Sequence, residues 1–547
     1  MPAFDSGQTS LMTGYGPRLK RLLLLVIVVA AAVQGRGIGD AWSHGNHNGW
    51  GGAFYSNIAR NYVRYGYLAT RFAPVISTGD TAFEDRRYYL THPPLIGLAV
   101  SVAFHFFGEH EWSARLVPLA FSLGCILVIY RLGFRIASPE TGLVAATLFA
   151  FLPAEIVYGA HVDPQGPPVA FFSLLLLLAY EEQRPLLAAG ALVLGAGFDW
   201  PIHYLAGLLV VHSFVFRSDR RRWAAGLLAA SVLLITGLFL YARLVAPHPQ
   251  QHYLESTAAD AFLFWTGIRV PPDRIPGRSI ETPTVREWLP RMGSHFDSLF
   301  TIPFLGLAAF GAAVHAARRN AGHLWILLSW GLLHVLLFPL GAYVHDYWSI
   351  YLAPGLSLAA AEGLRWIAEA AGKRRELFLA GATTALSAFL LAEGNRSVDS
   401  IAREPVRLGR VLHALTTHGE GVLALNAVDA RDAYYADRAI RDRVNRVSLF
   451  EEALCDGMTY HYFVVPKHVY RERSQKPLFD IIRGCPRYAS EEFYIFDLLP
   501  RSKVPCAIVG CNAGVSPESH LASRARPVPI CQTSKSCIAV GLDGGLD

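Results

Sequence analysis

Residues 217–245 read RSDRRRWAAGLLAASVLLITGLFLYARLV, and this stretch decides the fold class. Arg217, Arg220, Arg221 and Arg222 stand directly before an apolar run from Trp223 to Val245. The hydrocarbon core of a bilayer needs about 20 apolar residues of helix, so the run reads as a transmembrane span. Basic residues in short loops stay on the cytoplasmic side. The arginines therefore set the direction of this span, from inside at Arg222 to outside after Val245.

The same pairing of basic cluster and apolar block recurs along the 547 residues. Arg18, Lys20 and Arg21 precede an uncleaved first span, Leu22–Val33. Further spans are expected at about Ser113–Phe134, Thr141–Tyr158 and Pro168–Tyr180, then a short pair meeting outside at Phe198-Asp199-Trp200-Pro201. After Trp223–Val245 come a span ending at Arg318 and Arg319, then Leu324–Leu340, then one from His345 to Lys373, and last Leu377–Leu391. One topology puts these basic clusters inside. It implies an all-α polytopic membrane protein of about eleven transmembrane helices, with outer loops at 38–112 and 246–299.

Leu95–Phe107 is apolar but about 13 residues long, too short to cross. A crossing there would invert every later loop, so it is read as interfacial or half-inserted. Phe54, Ile58, Tyr62 and Tyr65 recur at helical spacing and predict a helix lying at the membrane surface.

Composition agrees: 52% hydrophobic residues, 17% charged, and a mean hydropathy of +0.30. Soluble domains carry about 25% charged residues. The net charge of +6 is modest and suggests no nucleic-acid partner.

Residues 394–500 change character. Val422–Leu425 and Tyr460–Val465 read as short buried strands, giving a small extracytoplasmic α/β domain. Residues 501–547 are expected to be disordered. Of the seven cysteines, Cys125 lies in an apolar helix. The other six follow the last span, where disulfides form readily outside the cell; Cys455 and Cys485 are a candidate pair. Their spacing matches no zinc motif.

The outer loops hold polar residues that a passive anchor does not need. Asp40, His44, His47 and Tyr88 lie in the first loop, with His92 before Leu95. Arg115 starts the second span, Asp163 follows the third, and His345-Asp346 open the tenth. All fall at one membrane level, so they can converge. Asp163 precedes Pro164, Gln165, Gly166, Pro167 and Pro168; it is either an N-cap for the fourth span or a carboxylate facing a reaction cavity. Arg115 is either a headgroup contact or a guanidinium clamp on a lipid phosphate. His345-Asp346 is either a capped helix start or part of the site. His44-x-x-His47 with Asp40 offers ligands to a divalent metal, the alternative being hydrogen bonding within the loop.

These features in order resemble glycosyltransferase family 39, of the GT-C fold. The resemblance rests on Ala53-x-Tyr55, Ala59-Arg60-Asn61, Tyr65-Gly66, Tyr88-Tyr89-x-x-His92-Pro93-Pro94-Leu95, Glu111-Trp112-Ser113-Ala114-Arg115, Pro153 to Asp163, and His345-Asp346-Tyr347-Trp348. It covers about residues 20–395. Relatives include protein O-mannosyltransferases and the aminoarabinose transferase that modifies lipid A. The resemblance implies an integral-membrane glycosyltransferase that moves a sugar from a polyprenyl-phosphate donor to a hydroxyl on a lipid, glycan or protein acceptor. It implies a multi-pass protein of the plasma (inner) membrane with its site facing the periplasm or exterior. It implies an inverting transfer, metal-independent or loosely assisted by a divalent metal, in which a carboxylate serves as base. Asp163 ranks first for that role, then Asp40, then His47. Arg115, His92, Tyr88, His345 and Asp346 are the residues for the donor phosphate and substrate.

One departure stands out. Family members often carry an Asp-Glu pair where this chain has Gly51-Gly52. Two other readings follow from the same residues. A transporter or flippase of lipid-linked substrates would show inverted repeats and intramembrane charges, and no repeat is visible here. A catalytically silent assembly protein of the same fold is compatible with the missing acidic pair.

Overall fold

The computed structural model describes residues 17–81, 86–245, 261–268, 282–317, 322–442, 444, 449–450, 453, 460–470 and 486–498, with strand pairs at 530–531 and 537–538. The chain divides into two compact units. The first holds Met1–Ala41, Ile58–Pro74 and Tyr88–Ile401; the second holds Trp42–Asn57, Val75–Arg87 and Ala402–Asp547.

The first unit is helical and apolar. By length and composition, Glu111–Ile136, Ser218–Val245 and Gly372–Ser400 can each cross a membrane. A bent pair, Val285–Phe300 and Ile302–Ala317, makes a fourth if taken as one span. The chain is thus a multi-pass membrane protein. Among the other expected spans, Pro185–Phe198, Pro201–Phe216 and His323–Leu337 are shorter apolar helices.

Proline accounts for two interruptions that the sequence reading missed. The expected span Thr141–Tyr158 is two helices, Pro139–Ala150 and Pro153–Tyr158. Leu152 sits at φ −58°, ψ 140°, because a residue before proline is pushed out of the α region. The expected span Leu324–Leu340 breaks in the same way. Its helix His323–Leu337 ends at Phe338, at φ −124°, ψ 59°, before Pro339. The short helix Leu95–Phe107 has the bounds expected of it and ends at Gly108 with φ 84°.

Helix–helix contact in this unit uses small residues, as lipid-embedded helices do. Ile302–Ala317 packs on Ala353–Ala370. A Cβ on Gly311 would lie 1.8 Å from the Ala359 carbonyl oxygen, so only glycine permits that approach. Buried charges near the helix ends are paired: Arg131 Nε meets Glu182 at 2.8 Å, and Glu181 meets Arg220 at 3.2 Å and His323 at 2.6 Å. Paired carboxylates avoid the several-kcal/mol penalty of a lone buried ion.

The second unit is built on a five-stranded sheet, ordered β2-β1-β3-β5-β4. These are β1 Gly421–Ala424, β2 Ile440–Arg441, β3 Tyr460–Pro466, β4 Pro486–Ala489 and β5 Phe493–Asp497. β1 lies parallel to β2 and β3, while β5 is antiparallel to both β3 and β4. The expected strands at 422–425 and 460–465 are β1 and β3. Alternate residues serve two cores. Leu423, Phe463 and Phe496 pack with Phe450 on one face. Val422, Val464 and Ile495 pack with Leu408 and Leu412 on the other. A sheet buried on both faces reads as unbroken apolar runs, which is why both strands were visible in the sequence.

Two pieces of the first loop belong to this unit. His44 N donates to Glu404 O at 2.8 Å and Glu404 N donates back to His44 O at 3.3 Å. Trp42 N donates to Tyr435 Oη at 2.8 Å, and Asn46 Nδ2 to Ala402 O at 2.9 Å. Cys455, Cys485, Arg318, Arg319, Gly277 and the tail 501–547, apart from its short strand pair, lie outside the described residues. Cys125 is buried as a free thiol.

Candidate active site

Asp163 lies in the first unit, between helices Pro153–Tyr158 and Pro167–Glu182, and is buried. It is not the N-cap of the second of these; Gly166 holds that position, with no side-chain cap. Instead Asp163 Oδ1 accepts from Gln165 N at 2.9 Å, closing the tight turn that the prolines impose. Its Oδ2 lies 3.7 Å from His161 Nε2. Of the two sequence readings, the capping one does not describe this geometry.

The 3-10 helix Asp346–Leu352 packs against the same turn. Tyr158 Oη donates to Asp346 Oδ1 at 2.7 Å, and Tyr347 N to the same oxygen at 2.8 Å. Tyr351 Oη donates to Gln165 O at 2.7 Å. The Tyr347 ring meets His161 edge-on at 5.2 Å and His345 at 5.3 Å. Asp163, His345 and Asp346, 183 residues apart at their extremes by number, therefore share one neighbourhood through His161 and Tyr347.

His92 reaches the site from the loop before Leu95. Its Nδ1 donates to Asp199 Oδ1 at 2.7 Å. Trp200 Nε1 donates to Thr91 O at 3.0 Å, pinning this loop to the Phe198–Pro201 turn. Burial disfavours the charged imidazole, but the carboxylates of Asp199 and Asp163 outweigh it and raise the His92 pKa. Asp199 was quoted in the sequence only as part of a turn. A single acidic residue between two apolar helices is the signal that singles it out, since such residues are costly and usually functional.

Arg115 Nη1 donates to Ile38 O at 2.8 Å and Asp40 O at 2.5 Å. Its guanidinium thus ties down the chain leaving the first helix. The Asp40 side chain is exposed. Tyr88 is buried, within electrostatic reach of Tyr241, whose hydroxyl donates to Arg71 O at 2.9 Å. His47 is the first residue of helix His47–Tyr65 in the second unit, stacked on Trp50 at 5.6 Å.

Gly52 has a steric explanation. A Cβ on Gly52 would lie 2.1 Å from the Trp42 ring. Trp42 is itself buried and anchored to Tyr435. An indole thus fills the space beside position 52.

His44 faces two carboxylates of the second unit. Nδ1 is 3.4 Å from Asp429 and Nε2 3.6 Å from Asp432. Asp429 also caps helix Ala430–Ala436 and pairs with Arg431. The His44, Asp429 and Asp432 ligand atoms lie within 4.8 Å of one another, a nitrogen–oxygen set that a divalent cation accepts in competition with a proton on His44. Hydrogen bonds to Asp429 and Asp432 raise the His44 pKa from 6.5 to about 9. Because the folded-state value is the higher, this stabilisation is complete below pH 6.5 and fades as the pH rises through about 9. Burial works against ionisation of Asp429, but His44 and Arg431 hold its carboxyl below the ordinary 3.8, so its share is lost in strong acid. The unfolding temperature of the detergent-solubilised protein is expected to fall between pH 8 and about 10, and His44→Gln to remove that component. Identical pH curves for the two proteins would rule it out.

Residues 91–248 match the family model described as dolichyl-phosphate-mannose-protein mannosyltransferase. No curated protein sequence matches the chain. Among solved structures, ArnT from Cupriavidus metallidurans bound to undecaprenyl phosphate is similar, at 13% identity and a TM-score of 0.59, over 89% of this chain and 99% of that one. ArnT in the apo state gives 13% identity and 0.58, over 88% and 98%. The apo Archaeoglobus fulgidus oligosaccharyltransferase gives 14% and 0.52, over 88% and 75%. With its apolar helices, its small mixed sheet and these matches along most of its length, the chain has the GT-C fold.

Proposed function

We propose that this protein is an integral-membrane glycosyltransferase that moves a sugar from a polyprenyl-phosphate donor to an acceptor hydroxyl on the outer face. The observation that carries the reading is Asp163, a buried carboxylate that caps no helix and lies in a neighbourhood with His161, Tyr347 and His92. The match of residues 91–248 to a mannosyltransferase model supports the donor class, as does the likeness to an ArnT structure holding undecaprenyl phosphate.

In the proposed step the acceptor oxygen attacks the anomeric carbon. Its proton passes to the Asp163 carboxylate. The bond from the anomeric carbon to the phosphate oxygen breaks, and its electron pair leaves with the polyprenyl phosphate. A well-placed base supplies about 10²–10⁴-fold. Charge building on the phosphate is offset by cationic donors in a water-poor site, a role for which His92 stands within electrostatic reach of Asp163. Asp40 and then His47 remain the next bases in rank. The reaction as written needs no metal. Sugar and acceptor identity follow from mass spectrometry of cell-envelope glycans with and without the protein. The reading requires that a sugar on a defined acceptor be lost with the gene; an unchanged glycan profile counts against it.

The outer-face assignment has its own test. A cysteine introduced at Gly277 in intact cells is expected to react with an impermeant maleimide, and one at Arg222 is not. The reverse pattern inverts the topology and moves the site to the cytoplasm.

A further inference from the structure

Asp199 is a buried acidic residue of the first unit that the proposed chemistry leaves unused. It follows helix Pro185–Phe198 as its C-cap, in extended backbone, and its side chain is 0% exposed. A carboxylate wholly removed from water is costly unless paired. Its pairing is partial: Oδ1 takes the hydrogen bond from His92 Nδ1, while Oδ2 has no hydrogen-bond partner among the described residues. His92 is 14% exposed at its side chain, and among the described residues its Nε2 has no hydrogen-bond partner. The imidazole is thus gripped at one nitrogen from the buried side and left available at the other. The Tyr89 ring lies 5.7 Å away, and Pro93 restricts the backbone of His92 before it.

We propose that Asp199 is a positioning residue: it holds the His92 ring in one orientation and in its cationic form, with Nε2–H presented to the phosphate of the donor. This rests on the donor class proposed above. A carboxylate behind an imidazole fixes which nitrogen carries the outward proton and steadies the positive charge. Presented to a phosphate, that N–H makes a charge-assisted hydrogen bond, about twice as strong as a neutral one. Other charged and titratable groups face His92 as well. Asp163 favours its cationic form, and His334, in helix His323–Leu337 and 2.5 Å from Tyr204 Oη through Nδ1, lies within its electrostatic reach. Asp163 and His92 then have opposite tasks, the carboxylate drawing a proton from the acceptor and the imidazolium meeting the departing phosphate.

The test uses the full-length protein in detergent, with Asp199→Asn, Asp199→Glu and His92→Ala as variants. Diethyl pyrocarbonate modifies only the neutral imidazole, so its pH profile at His92, mapped by peptide mass spectrometry, reads the charge state without any ligand. Asp199→Asn is expected to lower that midpoint by about one unit or more, and Asp199→Glu to keep most of it. Binding of undecaprenyl phosphate, followed by native mass spectrometry, is expected to weaken about tenfold at pH 7.5 in Asp199→Asn and far less at pH 5.5. His92→Ala should lose it at both. Equal midpoints in the parent and Asp199→Asn overturn the proposal whatever the lipid does. A shifted midpoint with equal lipid binding by the parent and His92→Ala overturns the phosphate contact alone. A shifted midpoint with no lipid binding by the parent removes the donor class itself, a distinct signature from either.

Discussion

Asp163→Asn is expected to lower sugar transfer by at least about 100-fold, the low end of what a positioned base contributes, with membrane insertion and protein level near normal. The expectation rests on what the substitution preserves. Within its turn, Asp163 accepts a hydrogen bond from Gln165 N. An asparagine Oδ1 accepts the same bond at nearly the same volume, so the turn before Pro167 should survive. What asparagine cannot do is take a proton or carry the charge that acts on His92. Transfer measured in membranes from cells expressing each protein, at matched expression, separates the two roles. Full activity in Asp163→Asn would move the base to Asp40 or His47. Loss of protein from the membrane would instead assign Asp163 a folding role.

Gly52→Glu is the second large effect, and it acts on stability. Restoring an acidic residue at this position is expected to cost about 3 kcal/mol or more, the upper end of overpacking in a filled core, because the new Cβ falls 2.1 Å from a buried indole. Trp42→Ala by itself should cost about 3–5 kcal/mol as a large-to-small change. The two together should cost clearly less than their sum, since removing the ring vacates the space the glutamate needs; neighbours that share one cavity are not additive. Unfolding temperatures and size-exclusion profiles of the solubilised proteins measure all three. Strict additivity would show that Trp42 and position 52 do not compete for room. At the second of the two glycines, position 52, the Trp42 ring closes the space that an acidic side chain would need.

Much of this protein was legible from one dimension. Long apolar runs with arginine clusters at one end mark Glu111–Ile136, Arg221–Val245 and Arg375–Ser400, because both burial in lipid and orientation depend on residues adjacent in the chain. The strands at Val422 and Tyr460 were legible for a similar reason, being short runs buried on both faces. The breaks before Pro153 and Pro339 could have been read too, since the restriction that proline places on its predecessor is local. In the candidate site the residue types near Asp163 and His345-Asp346 were visible, but their roles were not. Whether Asp163 capped a helix depended on where that helix began, which Gly166 decides.

What the tertiary structure decided are relations between residues distant in sequence. Asp199 became a partner of His92, 107 residues away, only when two loop segments were brought within 2.7 Å. Trp42 closed the space at Gly52 through a contact of side chain and backbone that no periodicity predicts. Residues 42–57 and 75–87 joined a sheet domain that begins at Ala402 through backbone and side-chain hydrogen bonds such as His44 to Glu404 and Trp42 to Tyr435. Hydropathy and basic clusters are sums over neighbouring residues, so the sequence alone could place the helices of the membrane. A hydrogen bond or a steric exclusion falls off within an ångström or so, so which carboxylate meets which imidazole was decided only when the chain had folded.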